Sequence, residues 1–399
     1  MASIEELAAA TPVTRDRVVD LLRGVSILAV IFGHWFIGVV SWQGGVIRTT
    51  SAIGVTPGLW LLTWVFQVMP IFFFVGGYAN ATAYASSAAR GESPVAFVRR
   101  RVTRLLRPSL VFVGIWAVIQ LAMHLFDIGS PTPPTLWGET TLLRGVRPPP
   151  QTVPFGPMWF LAFYLVVVTI APLTVALHKR FGWKVIWIMV VGAVAADVAG
   201  FTVDSVWRWF NVVFVLLLPH QLGHFLADGS LDRVPRRVFW WMVGAGLVGL
   251  VLLTNPLIFE PFGAIRFEWF PGIGYYPKSL TGVDQELVSN AYPPTLCYLL
   301  GGVWTIGAAM LLRPRLARWL ERPKPWRFTI GVNATIMTLF LWHMTAFLLA
   351  VLALWPMGFG RAEGGAARWW LERPVWIVVP GLILAGLVAA FSRFERPRR

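Results

Sequence analysis

Cysteine and charge are scarce in this sequence. One cysteine, Cys297, occurs in 399 residues, so the chain has neither a disulfide framework nor a cysteine-based metal site. Charged residues make up 13% of the chain, against about 25% in soluble proteins. The first fifteen residues lack the basic segment of a signal peptide, so we expect the first apolar run to be retained. With no repeat, heptad pattern or soluble domain in the sequence, we predict one transmembrane domain over 1–399.

Long apolar runs are abundant instead. Hydrophobic residues make up 56% of the chain, which also contains 22 tryptophans. Apolar runs of about 20 residues span a bilayer as helices. We therefore predict an all-α fold, a polytopic integral membrane helix bundle with about ten transmembrane helices. The predicted helices cover 18–40, 58–84, 108–126, 157–177, 184–200, 206–227, 237–255, 294–312, 329–354 and 374–392.

The basic residues indicate how the chain crosses the membrane. The net charge is +15, but the arginines cluster between apolar runs, where lipid headgroups lie, so we expect contact with the lipid bilayer and not with nucleic acid. Placing both termini in the cytoplasm makes every inner segment richer in Arg and Lys than its outer neighbours. Residues 1–15 are then a cytoplasmic segment and 393–399 a short basic tail. The excess of arginine over lysine is typical of GC-rich bacterial genomes, so we expect a bacterial plasma membrane.

Two predicted outer segments are long. Asp127–Gly156 is rich in proline, and Asn255–Pro293 combines proline, glycine and aromatic residues with four acidic ones. Loops of this length are often functional. They fit either a roof over the outer face of the bundle or solvated connectors.

The first predicted helix carries three ionisable side chains on one face. Asp20 and Arg23 are one turn apart, and His34 follows Arg23 by eleven residues, which at about 100° per residue is within about 20° of the same direction. Each ionisable group at bilayer depth costs roughly 2.5–3.5 kcal/mol, so we expect this stripe to face a protein interior or a water-filled cavity. His34 lies about 24 Å into a slab about 30 Å thick, in its outer half.

Each member of the stripe fits two interpretations. The imidazole of His34 can take and return a proton near neutral pH, or it can make an interhelical hydrogen bond. Asp20 and Arg23 can form an interfacial ion pair that sets the depth of the helix. Alternatively, Asp20 can hold Arg23 in position to bind an anion.

A basic segment precedes the third predicted helix, at Phe97–Pro108. If this segment is helical, Arg100, Arg104 and Arg107 share a face, and Arg101 lies one turn from Arg104. Such a face suits a phosphate-rich ligand. Anchoring at the inner membrane surface explains the same cluster.

Small and aromatic residues mark two further helices. Pro70 and the pair Gly76-Gly77 predict a kink or a close helix contact in the second helix. Trp159, near the start of the fourth helix, fits the aromatic belt of a membrane protein.

Further histidines lie in apolar segments. His343 in the ninth helix fits a hydrogen bond in the core. His220 and His224 have a spacing that can hold a metal, but the sequence offers no third ligand, and we predict no metal site.

Together these motifs resemble the integral-membrane acyltransferase-3 family. The resemblance covers nearly the whole chain, and the motifs stand in the order typical of the family. They are Asp20-x-x-Arg23 with His34 eleven residues later, Pro70 to Tyr78, Arg101 to Pro108, Trp159-Phe160-Leu161, and Leu341-Trp342-His343-Met344. The chain differs from the usual family pattern in having Gly76 in place of Ser and Trp342 in place of Tyr.

The resemblance implies transfer of an acyl group, often acetyl, from cytoplasmic acyl-CoA to a hydroxyl of an extracytoplasmic acceptor. The acceptor is expected to be a carbohydrate, a glycolipid or a secreted small molecule, and no cofactor is expected to stay bound. The roles implied for individual residues are catalysis for His34, Arg23 and Asp20, donor binding for Arg100, Arg101, Arg104 and Arg107, and substrate contact for Tyr78, Trp159 and His343.

The sequence leaves two chemical routes open. His34 can deprotonate the acceptor hydroxyl, or it can first accept the acyl group itself. The main alternative function is a transporter or flippase that uses the stripe of Asp20, Arg23 and His34 as a substrate or proton path. The sequence shows none of the inverted repeats typical of transporters, and a membrane scaffold would not need the stripe. Acyl chain length and oligomeric state stay open.

Overall fold

The apolar runs form helices because a chain inside a bilayer must satisfy its backbone N–H and C=O groups within itself. The computed structural model describes residues 5–6, 11–12, 15–43, 46–54, 56–126, 155–254, 274, 276–281 and 289–395. Its helices are α1 (Arg17–Ile37), α2 (Trp60–Phe66), α3 (Met69–Ala89), α4 (Pro94–Leu125), α5 (Met158–Thr169), α6 (Ala171–Phe181), α7 (Lys184–Thr202), α8 (Asn211–Ala227), α9 (Arg236–Thr254), α10 (Leu296–Trp319), α11 (Pro323–Ala334), α12 (Ile336–Leu354), α13 (Ala367–Glu372) and α14 (Val375–Phe391).

The prediction of a helical membrane protein with about ten spans is confirmed. Among the described residues, nine helices are long and apolar enough to cross a membrane, and there are ten if α5 and α6 count as one span. The second predicted helix is divided into α2 and α3 just before Pro70, and the ninth into α11 and α12 at Thr335. The basic segment is helical, because α4 begins at Pro94 and runs on past Pro108.

A β-hairpin follows α1 where the sequence predicted the end of the first helix. Strand β1 (Gly38–Gln43) pairs antiparallel with β2 (Val46–Ser51), with Gly38 opposite Ser51 and Gln43 opposite Val46. The helix stops at Ile37, and a side chain at Gly38 would place its Cβ 2.6 Å from the carbonyl oxygen of His34. The segment beyond is rich in Val and Thr, which favour strands.

The chain divides into two compact units. The first comprises Met1–Ala29, Pro57–Arg90 and Ala171–Asn333. In it α3 packs along α8, and α9 packs along α10. The carboxylate of Asp197 on α7 is buried and accepts hydrogen bonds from Asn211, Tyr276 and the backbone N–H of Leu296, at 2.5–2.8 Å. These bonds join the ends of α7, α8 and α10.

The second unit comprises Val30–Thr56, Gly91–Ile170 and Ala334–Arg399. In it α12 packs against α14 and α4, and α4 packs against α5. Most of the two long segments predicted to be outer loops, and the last four residues of the basic tail, lie outside the described residues. The division into one domain over 1–399 stays a prediction.

Candidate active site

Two histidine rings meet in the second unit. His34 lies on the last turn of α1, and His343 lies in the middle of α12. Nδ1 of His34 is 2.9 Å from Nε2 of His343, and the rings are nearly parallel, with an interplanar angle of 10°. His343 is fully buried and His34 is half-buried. The sequence singled out both histidines, but it gave no sign that they pair.

Hydrogen bonds from the indole of Trp35 and the guanidinium of Arg373 hold the backbone around the histidine pair. The indole Nε1 of Trp35 donates to the carbonyl oxygen of His343 at 3.1 Å, which ties α1 to α12 beside the rings. Nη1 of Arg373 lies 3.0 Å from the carbonyl oxygen of Gly38, and it also approaches the carbonyl oxygens of Trp35 and Phe36. Arg373 is buried and its guanidinium lies over the ring of Trp369. Its positive charge therefore lies at the carboxyl end of α1, where the helix dipole favours it.

A carboxylate caps the amino end of α12, the helix that carries His343. Glu395, in the segment after α14, accepts hydrogen bonds from the backbone N–H groups of Met337 and Thr338, both at 3.0 Å, and from the hydroxyl of Thr338 at 2.8 Å. Burial raises the pKa of this carboxyl, while the hydrogen bonds and the charge of Arg104 oppose that rise. Arg104 of the basic segment thus interacts with the residue that caps the helix of His343.

Aromatic side chains surround the first half of α12. Phe112 on α4 packs edge-on against Trp342, with ring centroids 5.1 Å apart, and also contacts Phe155. The indole of Trp116 donates to the hydroxyl of Thr345 at 3.1 Å. Trp159, predicted to contact substrate, is half-buried, and its ring packs edge-on against Phe160.

The basic segment forms part of one continuous helix, which is the condition under which its arginines share a face. Arg104 is exposed, Arg101 and Arg107 are half-buried, and Arg100 is exposed and paired with Glu92. From Thr338, where Glu395 binds, to His343 is five residues, or about 8 Å along α12. Within the second unit, the basic segment and the imidazole pair are therefore linked through a short stretch of one helix.

The other two residues of the predicted stripe lie in the first unit. Nη2 of Arg23 is 3.5 Å from Asp20, but Arg15 is the closer partner of this carboxylate, at 2.5 Å from Nε and 3.1 Å from Nη2. Asp20 is buried, and its carbonyl oxygen accepts from Asn333. Arg15 was missed by the sequence argument, because it precedes the apolar run.

Tyr78 lies near a second group of charges in the first unit. It is half-buried and close enough to Asp16, Asp232 and Arg313 to interact with them electrostatically. Arg313 forms ion pairs with both aspartates. The predicted substrate contacts of Tyr78, Trp159 and His343 stay predictions.

The spaced histidines on α8 are bound to neutral partners. Nε2 of His220 is 3.1 Å from the amide of Asn80, and His224 contacts the hydroxyl of Thr174 at 3.0 Å and the carbonyl oxygen of Gly77 at 3.1 Å. Across the described part of the chain, no three His, Cys, Asp or Glu side chains are grouped so that they could hold a metal ion.

The apolar helices define a multi-pass membrane protein, and the paired imidazoles provide it with a group suited to proton transfer. Residues 16–392 match the acyltransferase-3 family, described as an acyltransferase domain, and the chain belongs to this family. It is therefore a membrane acyltransferase of the O-acyltransferase type. No curated protein and no solved structure matches the chain.

Proposed function

We propose that this protein transfers an acetyl group from cytoplasmic acetyl-CoA to a hydroxyl of an extracytoplasmic carbohydrate, glycolipid or secreted small molecule. We place it in the plasma membrane of a bacterium. The observation that carries the proposal is the contact between His34 and His343, which engages Nδ1 of His34. No described residue forms a hydrogen bond with Nε2 of His34, so this nitrogen is available to a substrate.

In the proposed reaction, Nε2 of His34 takes the proton of the acceptor hydroxyl as its oxygen attacks the thioester carbonyl. The new C–O bond forms, the C–S bond breaks, and the thiolate leaves. The imidazolium then returns the proton to the thiolate. The products are the ester and CoA with a free thiol, and His34 ends in its starting state.

The alternative route uses the same nitrogen as a nucleophile. Nε2 of His34 would attack the thioester and form an N-acyl bond, while the C–S bond breaks and the thiolate leaves. The acceptor oxygen would then take the acyl group from the ring, and the hydroxyl proton would end on the thiolate. Trapping distinguishes the two routes, because only the second leaves label on the protein when [14C]acetyl-CoA is supplied without acceptor and the reaction is quenched rapidly.

The donor is proposed to bind through its phosphates at Arg100, Arg101, Arg104 and Arg107. A row of guanidinium groups suits the charge and geometry of phosphate oxygens. Their helix is predicted to begin at the inner surface, where acyl-CoA is present. The proximity of Arg104 to the cap of α12 supports a donor that extends from this row toward His34.

The test is a comparison of His34→Ala with the parent protein in a host that lacks its own copy. Envelope polysaccharides, glycolipids and secreted products are examined by mass spectrometry for an acetyl increment that depends on the protein. We expect His34→Ala to reduce that product by at least about 100-fold, the smallest contribution typical of a general base.

The matched control is His178→Ala, which removes a histidine of the first unit that is paired with Asp228. It should leave the product level near that of the parent. Full product from His34→Ala, at equal protein level in the membrane, would remove His34 from the reaction.

A further inference from the structure

The hydrogen bonds of His343 have a fixed direction. Its Nδ1 lies 2.6 Å from the carbonyl oxygen of Phe340, one turn earlier on α12. A carbonyl oxygen can only accept, so Nδ1 of His343 must carry the proton of this bond. In a neutral imidazole the other nitrogen, Nε2, is then a lone pair that can only accept.

The second bond follows from the first. Nε2 of His343 faces Nδ1 of His34 at 2.9 Å. Because the nitrogen of His343 accepts, Nδ1 of His34 must carry the proton and donate it. The neutral form of His34 therefore has its lone pair on Nε2, the nitrogen that no described residue binds.

The reverse direction would require a charged ring in the core. If His343 donated from Nε2 as well as from Nδ1, it would be an imidazolium. His343 is fully buried, and no carboxylate in the described chain forms an ion pair with either ring. A buried charge without a partner is costly, so the pair is neutral. Nδ1 of His34 donates to His343, and Nδ1 of His343 donates to the carbonyl oxygen of Phe340.

We infer that His343 is a positioning residue that keeps His34 protonated on Nδ1 and thereby makes Nε2 the base of the transfer reaction. This inference rests on the proposed function. The opposite tautomer of His34 would present an N–H to the acceptor hydroxyl and could not take its proton. The bond from Trp35 to the carbonyl oxygen of His343 helps to hold the two rings at the same height.

Substitutions at His343 separate this role from simple packing. Leu has no acceptor, whereas the side-chain oxygen of Gln can replace Nε2 as the acceptor. We expect His343→Leu to lower kcat by about 100-fold, within the range of a general base, with KM for acetyl-CoA within about twofold. His343→Gln should recover kcat to within about tenfold of the parent. Equal losses in the Gln and Leu variants would overturn the inference.

A Leu variant that does not fold is replaced by Asn, which is too short to reach the position of Nε2. His343→Asn should then be as poor as expected for Leu, while Gln stays active. Asn and Gln variants of equal activity would also overturn the inference. Folding is checked by size-exclusion chromatography in detergent before any rate is compared.

A spectroscopic test is independent of activity. The chain has six histidines, so 15N-histidine labelling of the full-length protein in liposomes gives a spectrum that is simple enough to assign with His34→Ala. Solid-state 15N shifts should show His34 with a protonated Nδ1 and a bare Nε2. A protonated Nε2 and a bare Nδ1 at neutral pH would refute the inference. If the expected tautomer were found and His34→Ala stayed active, the effect of His343 on the tautomer would stand, but the proposed role of His34 as the base would fail.

Discussion

Arg373 is a charged residue in an apolar setting. It is 4% exposed, contacts three backbone carbonyl oxygens near the end of α1, and lies 3.9 Å above the ring of Trp369. The carboxylate of the neighbouring residue Glu372 interacts with it electrostatically. The helix end and the aromatic ring also compensate its charge. Because these carbonyls follow His34 by one turn or less, Arg373 also fixes the position of that ring.

Replacing Arg373 by Met should destabilise the protein by about 2 kcal/mol, the upper range for a charge at a helix end. The apparent Tm in detergent should fall, and kcat should fall more than KM, because the end of α1 carries His34. Arg368→Met is the matched control, since that side chain is largely exposed and pairs with Glu372. Equal decreases in apparent Tm for the two variants would show that Arg373 does not stabilise the end of α1.

The arginines of the basic segment on α4 are proposed to bind the phosphates of the donor, so their loss should weaken donor binding. Charge-assisted hydrogen bonds contribute about 1.5–3 kcal/mol each, and 1.4 kcal/mol corresponds to a tenfold change in affinity. Replacing Arg101 and Arg104 together by Gln removes two such bonds and should therefore raise KM for acetyl-CoA by about 100-fold or more. The control is Arg90→Gln with Arg99→Gln, which removes the same charge nearby. A similar rise in both double variants would assign the row to anchoring in the membrane.

At this scale the sequence predicted residue types better than partners. His34 and His343 were both identified, yet they are 309 positions apart and no local pattern links them. Glu395 and Arg373 were missed, because a cap supplied by a distant segment leaves no periodic signal in the helix it caps. An acidic residue within a basic tail is the one sequence feature that could have drawn attention to Glu395.

Among the elements, α3 and α8 cross at unusually short range. A Cβ on Gly77 would lie 1.9 Å from the carbonyl oxygen of His220, and one on Gly223 would lie 2.1 Å from that of Phe74. Glycine at both positions lets the two backbones touch, as small residues do in membrane helices. His224 strengthens the contact by donating to the carbonyl oxygen of Gly77. The close helix contact predicted from Gly76-Gly77 is thus confirmed.

Gly77→Ala should cost at least about 3 kcal/mol, because the obstacle is backbone and cannot rotate away. We expect little folded protein after purification. Gly114→Ala on α4 provides the control: no atom lies within 4 Å of the added Cβ, and alanine should stabilise the helix by about 0.5–1 kcal/mol. A Gly77 variant with the parent's yield and apparent Tm would show that the helices can separate at no cost.

The cap of α12 makes stability depend on pH. Burial holds the pKa of Glu395 above its ordinary value of 4.5, so the folded protein binds this proton more tightly than the unfolded chain does. The stabilising effect is full below pH 4.5 and is lost as pH rises through the folded-state pKa. The apparent Tm of the parent minus that of Glu395→Gln should therefore decrease between pH 4.5 and pH 7.

Glu321→Gln provides the control for that experiment, because it removes an exposed carboxyl from the segment after α10. It reports how the loss of a surface charge alone changes the apparent Tm over the same range. If the apparent Tm of the parent minus that of Glu395→Gln increased with pH, the folded protein would prefer the carboxylate form of Glu395.

Element type was predictable because membrane helices depend on composition over about 20 residues. Breaks and caps depend on contacts instead. The sequence predicted one helix from 58 to 84, yet the helix is interrupted at Gln67–Val68 and its second part continues to Ala89. It also extended the first helix over Val39 and Val40, which are apolar enough for a span but lie in β1. Hydropathy alone does not distinguish an apolar strand from the last turn of a helix.

For the whole molecule, the contacts within each unit agree with the predicted alternation of the spans. In the first unit, Asp16, Asp232 and Arg313 come from three segments all predicted to be inner, and they form one group of ion pairs. In the second unit, Arg373, from a segment predicted to be outer, meets Gly38, which lies near the predicted outer end of the first helix. A chain with a missing or extra span would bring residues of opposite sides together.

The absolute orientation can be tested with cysteines, because the chain's own Cys297 is buried and can be replaced by Ser. In that variant, Glu321→Cys should lie in an inner loop and Glu363→Cys in an outer one, since both side chains are exposed. A membrane-impermeant maleimide should label Glu363→Cys in intact cells, and Glu321→Cys only in inverted vesicles. The reverse pattern would place the basic loops outside, against the charge asymmetry from which the topology is argued. It would also place the arginine row of α4 away from cytoplasmic acyl-CoA, so one labelling experiment decides the sidedness of both the fold and the proposed reaction.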